Sequence, residues 1–388
     1  MKIVHVCLSG IFNDEWGYQE NILSYYNLKS GHDVTVVASN FIDDNEKGRV
    51  KAGAKLYYAR NGVKIRRIDF LSKIPQIVSE KLKLFQGLYL VLEEEKPDII
   101  FHHGSIGFTL QTMKQYKRKH QQCRCLIDNH SDEYNCGQNI PSKIIHRILW
   151  RKIMKSTIPY VDKYFGVLPL RCRFLNKIYG IPKEKIELMI MGVDDEKVKH
   201  IDSVNTRIQI RKKYHIDTED FLIITGGKID SRKNIHLLMR AVNQMFDTKI
   251  KLLIFGVANT EMKKIIEKNL SEKIRFIGWV DAEYVYDLFS AADLAIFPGT
   301  HSVLWEQACA VGLPAIFNKM SGIQHVNING NALFVSNPTP EKLEKEIAKL
   351  CDKQGNNYKS MKDRAKEASK YFLYSRIEKQ MFTEKVRE

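Results

Sequence analysis

Thr225-Gly-Gly-Lys-Ile-Asp-Ser-Arg-Lys-Asn234 follows the apolar run Phe221–Thr225 and opens a helical pattern over Asn234–Met245. A strand that ends in glycines and turns into a helix predicts an open α/β sheet, whose ligands sit at the carboxyl ends of its strands. Paired glycines let the backbone approach an anion, and a helix start offers unpaired N–H groups. Gly227, Lys228, Arg232 and Lys233 therefore read as a phosphate site, the competing reading being a solvated basic turn.

The same alternation extends in both directions. Downstream, strands at Lys251–Phe255, Ile274–Ile277, Leu294–Phe297 and Pro314–Phe317 are separated by helices at Thr260–Leu270, Ala282–Ser290 and Trp305–Val311. Upstream, strands at Lys2–Cys7, Asp33–Ala38, Asp98–Phe101, Arg124–Ile127 and Tyr164–Leu168 alternate with helices at Gln19–Lys29, Val78–Glu94 and Phe108–Arg118. Repeated βαβ units build parallel sheets. Between Gly192 and Asn205 charge replaces apolar periodicity. The expected organisation is α/β, with two doubly wound, Rossmann-like domains facing a cleft, residues 1–200 and 201–373. A charged helix over Tyr374–Arg387, within residues 374–388, would pack back toward the first domain.

A chain of 388 residues suits two cores, and 44% hydrophobic with 27% charged residues places it among globular rather than disordered proteins. Seven cysteines with no C-x-x-C read as reduced structural thiols. No apolar stretch approaches the ~18 residues of a spanning helix, and the polar-interrupted start is unlike a signal peptide, so the expected location is cytoplasmic. A net charge of +16 calls for an anionic partner: nucleic acid, an acidic membrane or a phosphorylated substrate. Nucleic acid is set aside, because no aromatic-interleaved basic face or recognisable motif occurs. Within residues 141–155, Lys143, Arg147, Arg151 and Lys155 recur every four residues beside Leu149, Trp150 and Met154. That stretch reads as a basic amphipathic helix on an anionic membrane, making the protein peripheral at the inner face, or equally as a core-packed helix with a solvated face.

A second motif, Phe297-Pro-Gly-Thr-His-Ser-Val-Leu-Trp-Glu-Gln-Ala-Cys-Ala-Val-Gly-Leu-Pro314, leads from a strand through a polar loop into a helix carrying Glu306. A carboxylate there accepts two ribose hydroxyls or merely complements the helix dipole.

Together these elements resemble the GT-B retaining glycosyltransferases of the family 4 type (glycosyl transferases group 1), in particular members from polysaccharide biosynthesis, over nearly the whole chain. Gly227-Lys228 and Lys233 match the spacing of the G-R/K-x-x-x-x-K element that in this family grips the donor diphosphate. Glu306, Ala308, Gly312 and Pro314 match the end of its E-x7-E element and the A-x-x-x-G-x-P that follows. Pro298 stands where the first acid of that element belongs. His301 and Ser302 are its nearest polar substitutes, with Gly299 and Val303 beside them as expected donor contacts. In Glu15-Trp-Gly-Tyr-Gln-Glu-Asn21 the resemblance places Gly17 near the donor phosphates. In Ile127-Asp-Asn-His-Ser-Asp132, beside a neighbouring strand end at Phe101-His-His-Gly104, it places His130 near the reacting sugar. Met191-Gly-Val-Asp194 takes the position of the family's interdomain segment.

The resemblance implies a hexosyltransferase that moves a sugar, with retention, from a nucleoside-diphosphate sugar to a saccharide or lipid-linked acceptor in cell-surface polysaccharide synthesis. Lys228, Lys233 and His130 are its expected catalytic residues. No D-x-D occurs, so lysines and helix N–H groups are expected to neutralise the leaving diphosphate, with no metal and no cofactor. Two other readings stay open: a nucleotide-sugar epimerase of similar fold, and a non-catalytic membrane- or nucleotide-binding protein.

Overall fold

The computed structural model describes residues 1–14, 16–44, 46–136, 140–199 and 203–383. In chain order the strands are β1 (Lys2–Cys7), β2 (Asp33–Ser39), β3 (Phe41–Asp44), β4 (Gly48–Lys51), β5 (Leu56–Tyr58), β6 (Lys64–Ile68), β7 (Ile99–His102), β8 (Arg124–Asn129), β9 (Lys163–Gly166) and β10 (Ile186–Leu188). They continue as β11 (Phe221–Ile229), β12 (Ile250–Ala258), β13 (Ile274–Phe276), β14 (Leu294–Phe297), β15 (Ala315–Asn318) and β16 (Ala332–Val335). The central strands are mostly apolar and buried, as expected of strands covered on both faces, with polar residues such as His5, His102 and Asp128 among them.

The chain divides into two compact units. Unit 1 is Met1–Ile190 with the segment from Glu378; unit 2 is Met191–Ile377. The division falls at Ile190/Met191, ahead of the 200/201 boundary read from composition, where residues 200–202 lie outside the described residues. Packing explains the position. Val193 N donates to Phe372 O, and a Cβ on Gly192 would stand 2.4 Å from Ile377 Cδ1, so Met191–Val193 is built into unit 2 despite its polar continuation.

Unit 1 holds a sheet of order β10-β9-β8-β7-β1-β2-β6-β5, parallel throughout except for β5 against β6, plus the hairpin β3–β4. Unit 2 holds the all-parallel order β13-β12-β11-β14-β15-β16. Helices cover these sheets by periodic apolar faces. In the helix Ile235–Gln244 the residues Ile235, Leu238, Met239 and Val242 are buried, at the i, i+3, i+4, i+7 spacing of one face. Each such side chain contributes about 1.5–3 kcal/mol on burial.

Three elements differ from the sequence reading. The helix expected over Val78–Glu94 is two, Gln76–Leu82 and Leu88–Glu95, because Lys83 and Gly87 both adopt left-handed backbone between them. The helix expected over Tyr374–Arg387 is a short α-turn, Tyr374–Ile377, followed by a 3-10 turn, Glu378–Met381, with residues 384–388 outside the described residues. The basic helix is interrupted: Ile140–Ile145 and Arg151–Thr157 are α-helical, and His146–Trp150 forms a π-helical turn. A π-turn rotates the faces on either side of it. Trp150, Ile153 and Met154 are accordingly buried, whereas Ile140, Ile144, Ile145 and Ile148 lie 45–74% exposed. Arg151 leaves the stripe, donating to the carbonyls of Lys177 and Ile178. No helix among the described residues is long and apolar enough to cross a membrane.

Candidate active site

In unit 2 the strand order reverses between β11 and β14, and the carboxyl ends of strands at such a reversal are the usual ligand position in open α/β sheets. Both sequence motifs meet there. Gly227 has φ +112°, a conformation L side chains rarely adopt, and a Cβ on it would stand 2.9 Å from Leu304 Cδ1. Gly299 allows a closer approach: a Cβ would lie 2.3 Å from Arg232 O and from Lys233 Cα. The two loops are stitched by Thr300 N to Arg232 O (3.1 Å) and Asn234 Nδ2 to Pro298 O (3.1 Å). Lys233 Nζ donates to Thr300 O (2.8 Å) and His301 O (3.3 Å), leaving one of its three N–H groups. Burial lowers the Lys233 pKa, with Asp230 opposing and Arg232 adding to the effect.

Lys228 is exposed at the end of β11 and has no hydrogen bond or ion pair among the described residues. Arg232, in contrast, pairs within its own turn, Nη2 to Asp230 Oδ2 at 2.6 Å, so an anion would have to compete for it. Val303 is 39% exposed at the start of the helix Leu304–Ala310, and Ser302 O accepts from Trp305 N.

Glu306 is fully buried. His301 Nε2 lies 2.8 Å from its Oε1 and 3.1 Å from its Oε2, and His325 Nε2 lies 2.7 Å from Oε1. Burial favours the neutral acid, and the two histidine rings outweigh it, holding the Glu306 pKa at about 2. Trp305, stacked on Phe317 at 4.4 Å, floors this cluster, with the His301 ring edge-on at 5.1 Å. The ligand atoms of His301, Glu306 and His325 lie within 4.8 Å of one another, an N,N,O set that zinc accepts. Metal-bound imidazoles usually donate their second nitrogen to an outer partner. The buried Nδ1 of His325 has no such partner, and the contacts to Glu306 are hydrogen-bond length, so the cluster fits a carboxylate clamped by two N–H donors better than a metal centre. His325 was missed in the sequence reading; its one signal is its place in a polar loop past the carboxyl end of β15.

In unit 1 the order reverses between β7 and β1, and a cavity of about 380 Å³ opens at their carboxyl ends, lined among others by Ser9, Glu20, His103, Ser105 and His130. His130 Nε2 lies 3.4 Å from Asp128 Oδ2, and Asp128 also accepts from Gly104 N (2.7 Å) and faces His103 Nδ1 (2.7 Å). Burial disfavours a charged His130, but Asp128 outweighs it and raises the pKa. Burial likewise opposes the Asp128 charge, and His103 and His130 together hold that pKa far below the usual carboxylate range. Behind them the network continues. His103 Nε2 meets His5 Nδ1 (3.0 Å), His5 Nε2 meets Asn27 Oδ1 (2.9 Å), and Asn27 Nδ2 donates to Glu378 Oε2 (2.9 Å). Burial pushes His5 down to about 3, so it is neutral. With Asn27 oriented by Glu378, His5 carries its proton on Nε2, and its bare Nδ1 requires a proton on His103 Nε2. Gly17 is exposed in the loop before the helix Gln19–Lys29.

Unit 2 thus gathers Gly227, Lys228, Lys233, Gly299, His301 and Glu306 at one crevice, while His130 belongs to the unit 1 cavity.

Residues 206–368 match the family described as glycosyl transferases group 1, and residues 25–197 that described as glycosyltransferase family 4. An uncharacterized glycosyltransferase of Methanocaldococcus jannaschii is 21% identical over 173 residues, 42% of this chain and 44% of that protein. Mannosylfructose-phosphate synthase of Agrobacterium fabrum is 20% identical over 221 residues, 53% of this chain and 46% of its own length. The chain therefore spans less than half the length of these two relatives. Among solved structures, Anabaena HepE in complex with UDP shares the fold at a TM-score of 0.70 and 13% identity, with 98% of both chains covered; it is also known with UDP-glucose. Two parallel-sheet units, each with a strand-order reversal, and family matches to both halves lead to one conclusion: the chain belongs to the group 1 glycosyltransferases, with the GT-B fold.

Proposed function

We propose that this enzyme is a retaining glycosyltransferase that takes a nucleoside-diphosphate sugar and glycosylates a saccharide or lipid-linked acceptor in cell-surface polysaccharide synthesis. The observation that carries the donor reading is the pair Lys228 and Lys233 on the glycine turn of β11, closed against the 298–301 loop. HepE, of the same fold, is known with UDP and UDP-glucose, which supports the same donor class here.

In this reading the diphosphate lies along Gly227–Lys233, where Lys228 and the remaining N–H of Lys233 neutralise the charge that develops as the sugar–phosphate bond breaks. Glu306 orients the ribose once His301 turns aside, since both carboxylate oxygens are occupied by histidine. The acceptor hydroxyl bonds to the anomeric carbon from the face the diphosphate leaves, and its proton passes to the departing phosphate oxygen. His130, whose cationic form Asp128 favours, donates a hydrogen bond to a sugar hydroxyl. Lysines serve in place of a metal. A cytoplasmic protein at the inner membrane face is the setting, supported by the exposed Ile140, Ile144, Ile145 and Ile148 beside Lys143 and Arg147.

The test is a panel of UDP- and GDP-sugars with a lipid-extract acceptor, read as release of nucleoside diphosphate. Lys228→Ala should cut the rate about 10²-fold or more with unchanged thermal stability. Remodelling of the sugar without nucleotide release would establish an epimerase instead, and a Lys228→Ala rate equal to wild type would overturn the donor assignment.

A further inference from the structure

The amino ends of the unit 2 strands carry a cavity that the transferase reading does not use. It is an open cavity of about 1080 Å³, the size of a large small-molecule pocket. Its walls include Asp293, just before β14, the turn Asp217–Thr218 that precedes β11, and Gly312–Pro314, which lead into β15. It therefore lies at the opposite ends of the strands whose carboxyl ends hold Lys228 and Lys233.

Positive charge dominates the lining. Asp293 is engaged from several sides: Arg207 Nη2 and Arg211 Nη2 each lie 2.6 Å from its oxygens, Lys353 Nζ lies at 3.7 Å, and Leu222 N donates at 2.8 Å. Arg207 and Arg211 have clear structural duties, since they also donate to the carbonyls of Ala291 and Ala292 and of Asp217 and Asp220. A structural ion cluster needs no more than these.

Three lysines of one helix also line this cavity. Lys359, Lys362 and Lys366 project from the helix Asn356–Ser369 at spacings of three and four residues, hence from one face. Among the described residues no side-chain nitrogen of the three has a hydrogen bond or ion pair; Lys362 Nζ sits 5.7 Å from the Tyr358 ring centroid. The groups feel one another across the space: Lys362 is lowered by burial, then by Arg207 and Lys366, with Asp293 and Asp363 only partly offsetting them. Lys353 is lowered by burial and by both arginines, against Asp293. A cluster of cations that outnumbers the carboxylates around it is relieved by an anion that fits the space.

We infer that this cavity is a second anion site, distinct from the donor crevice, which binds a phosphate-bearing ligand through Lys359, Lys362 and Lys366 over the Arg207–Asp293–Arg211 cluster. A soluble phosphorylated compound and an anionic lipid headgroup present the same chemistry to it.

Isothermal titration with inorganic pyrophosphate decides the point, using Lys228→Ala to weaken the donor crevice. The Lys228→Ala protein should still bind pyrophosphate, and adding K359Q/K362Q/K366Q should weaken that binding at least ~10-fold, as expected for lost charge-assisted contacts. These lysines are exposed and glutamine is a good helix former, so circular dichroism should be unchanged. A parallel arm measures co-sedimentation with phosphatidylcholine vesicles containing phosphatidylglycerol. Vesicle binding that falls with the three glutamines, without pyrophosphate binding, assigns the site to a headgroup. If neither pyrophosphate nor vesicle binding responds to the three substitutions, the inference is overturned. Failure of this site leaves nucleotide release through Lys228 untouched, so the two readings fail separately.

Discussion

Glu306 shows how one side chain can be recognised in sequence while its surroundings are not. Its carboxylate is held ionised against burial by His301 and His325, at a pKa of about 2. An unfolded glutamate titrates near 4.3. A depressed folded pKa contributes stability that is fully present above the unfolded value and is lost as pH falls through the folded one. The clamp should therefore weaken between about pH 4.5 and pH 2. His325→Ala should raise the Glu306 pKa and move acid unfolding, followed by circular dichroism, to higher pH. At His130 the sign is opposite, because Asp128 raises its pKa and favours the cation. If the cation is the active form, activity falls on the alkaline side. Asp128→Asn should shift that alkaline limb of the kcat profile to lower pH. An unshifted limb would remove His130 from the reaction.

Among elements, the segment from Ile140 to Thr157 departs furthest from a regular pattern. Four-residue spacing of basic residues predicts one stripe, but the π-helical turn at His146–Trp150 divides it into an outer half with exposed isoleucines and an inner half with a buried Trp150, Ile153 and Met154. The inner half packs in the core, as one of the two sequence readings expects, and the outer half presents exposed apolar side chains beside Lys143 and Arg147. Each isoleucine inserted into a bilayer gains about 1.5–3 kcal/mol of apolar burial. Ile144→Asp with Ile148→Asp should abolish co-sedimentation with anionic vesicles while leaving the unfolding temperature within about a degree, since both positions are exposed. Retained binding would assign this face to solvent.

Across the whole molecule, the chain ends by returning to unit 1. Glu378 is buried and accepts from Asn27 Nδ2 (2.9 Å) and Ser30 Oγ (2.8 Å), while Met381 is fully buried. Glu378→Ala leaves the buried amide of Asn27 without its acceptor and should destabilise unit 1 by about 2 kcal/mol, measured by urea unfolding. The same amide anchors His5, so the histidine network leading to Asp128 should also loosen, read as histidine ring shifts in nuclear magnetic resonance.

The parallel-sheet architecture and the glycine turn that closes on the 298–301 loop were legible in sequence because their causes are local. Apolar runs alternating with 3.6-residue periodicity specify strands and helices, and a glycine turn followed by Lys228 and Lys233 carries its chemistry at fixed spacing. Short edge strands such as β5, β10 and β16 left no comparable signal, having only three or four residues each. The tertiary structure alone decided what depends on residues far apart in the chain. It brought His325 onto Glu306, His5 and His103 behind Asp128, and Arg207, Arg211 and the lysines of Asn356–Ser369 around one cavity. Such pairings arise where strand order reverses or strand ends converge, and no local pattern of residues encodes which loops those will be.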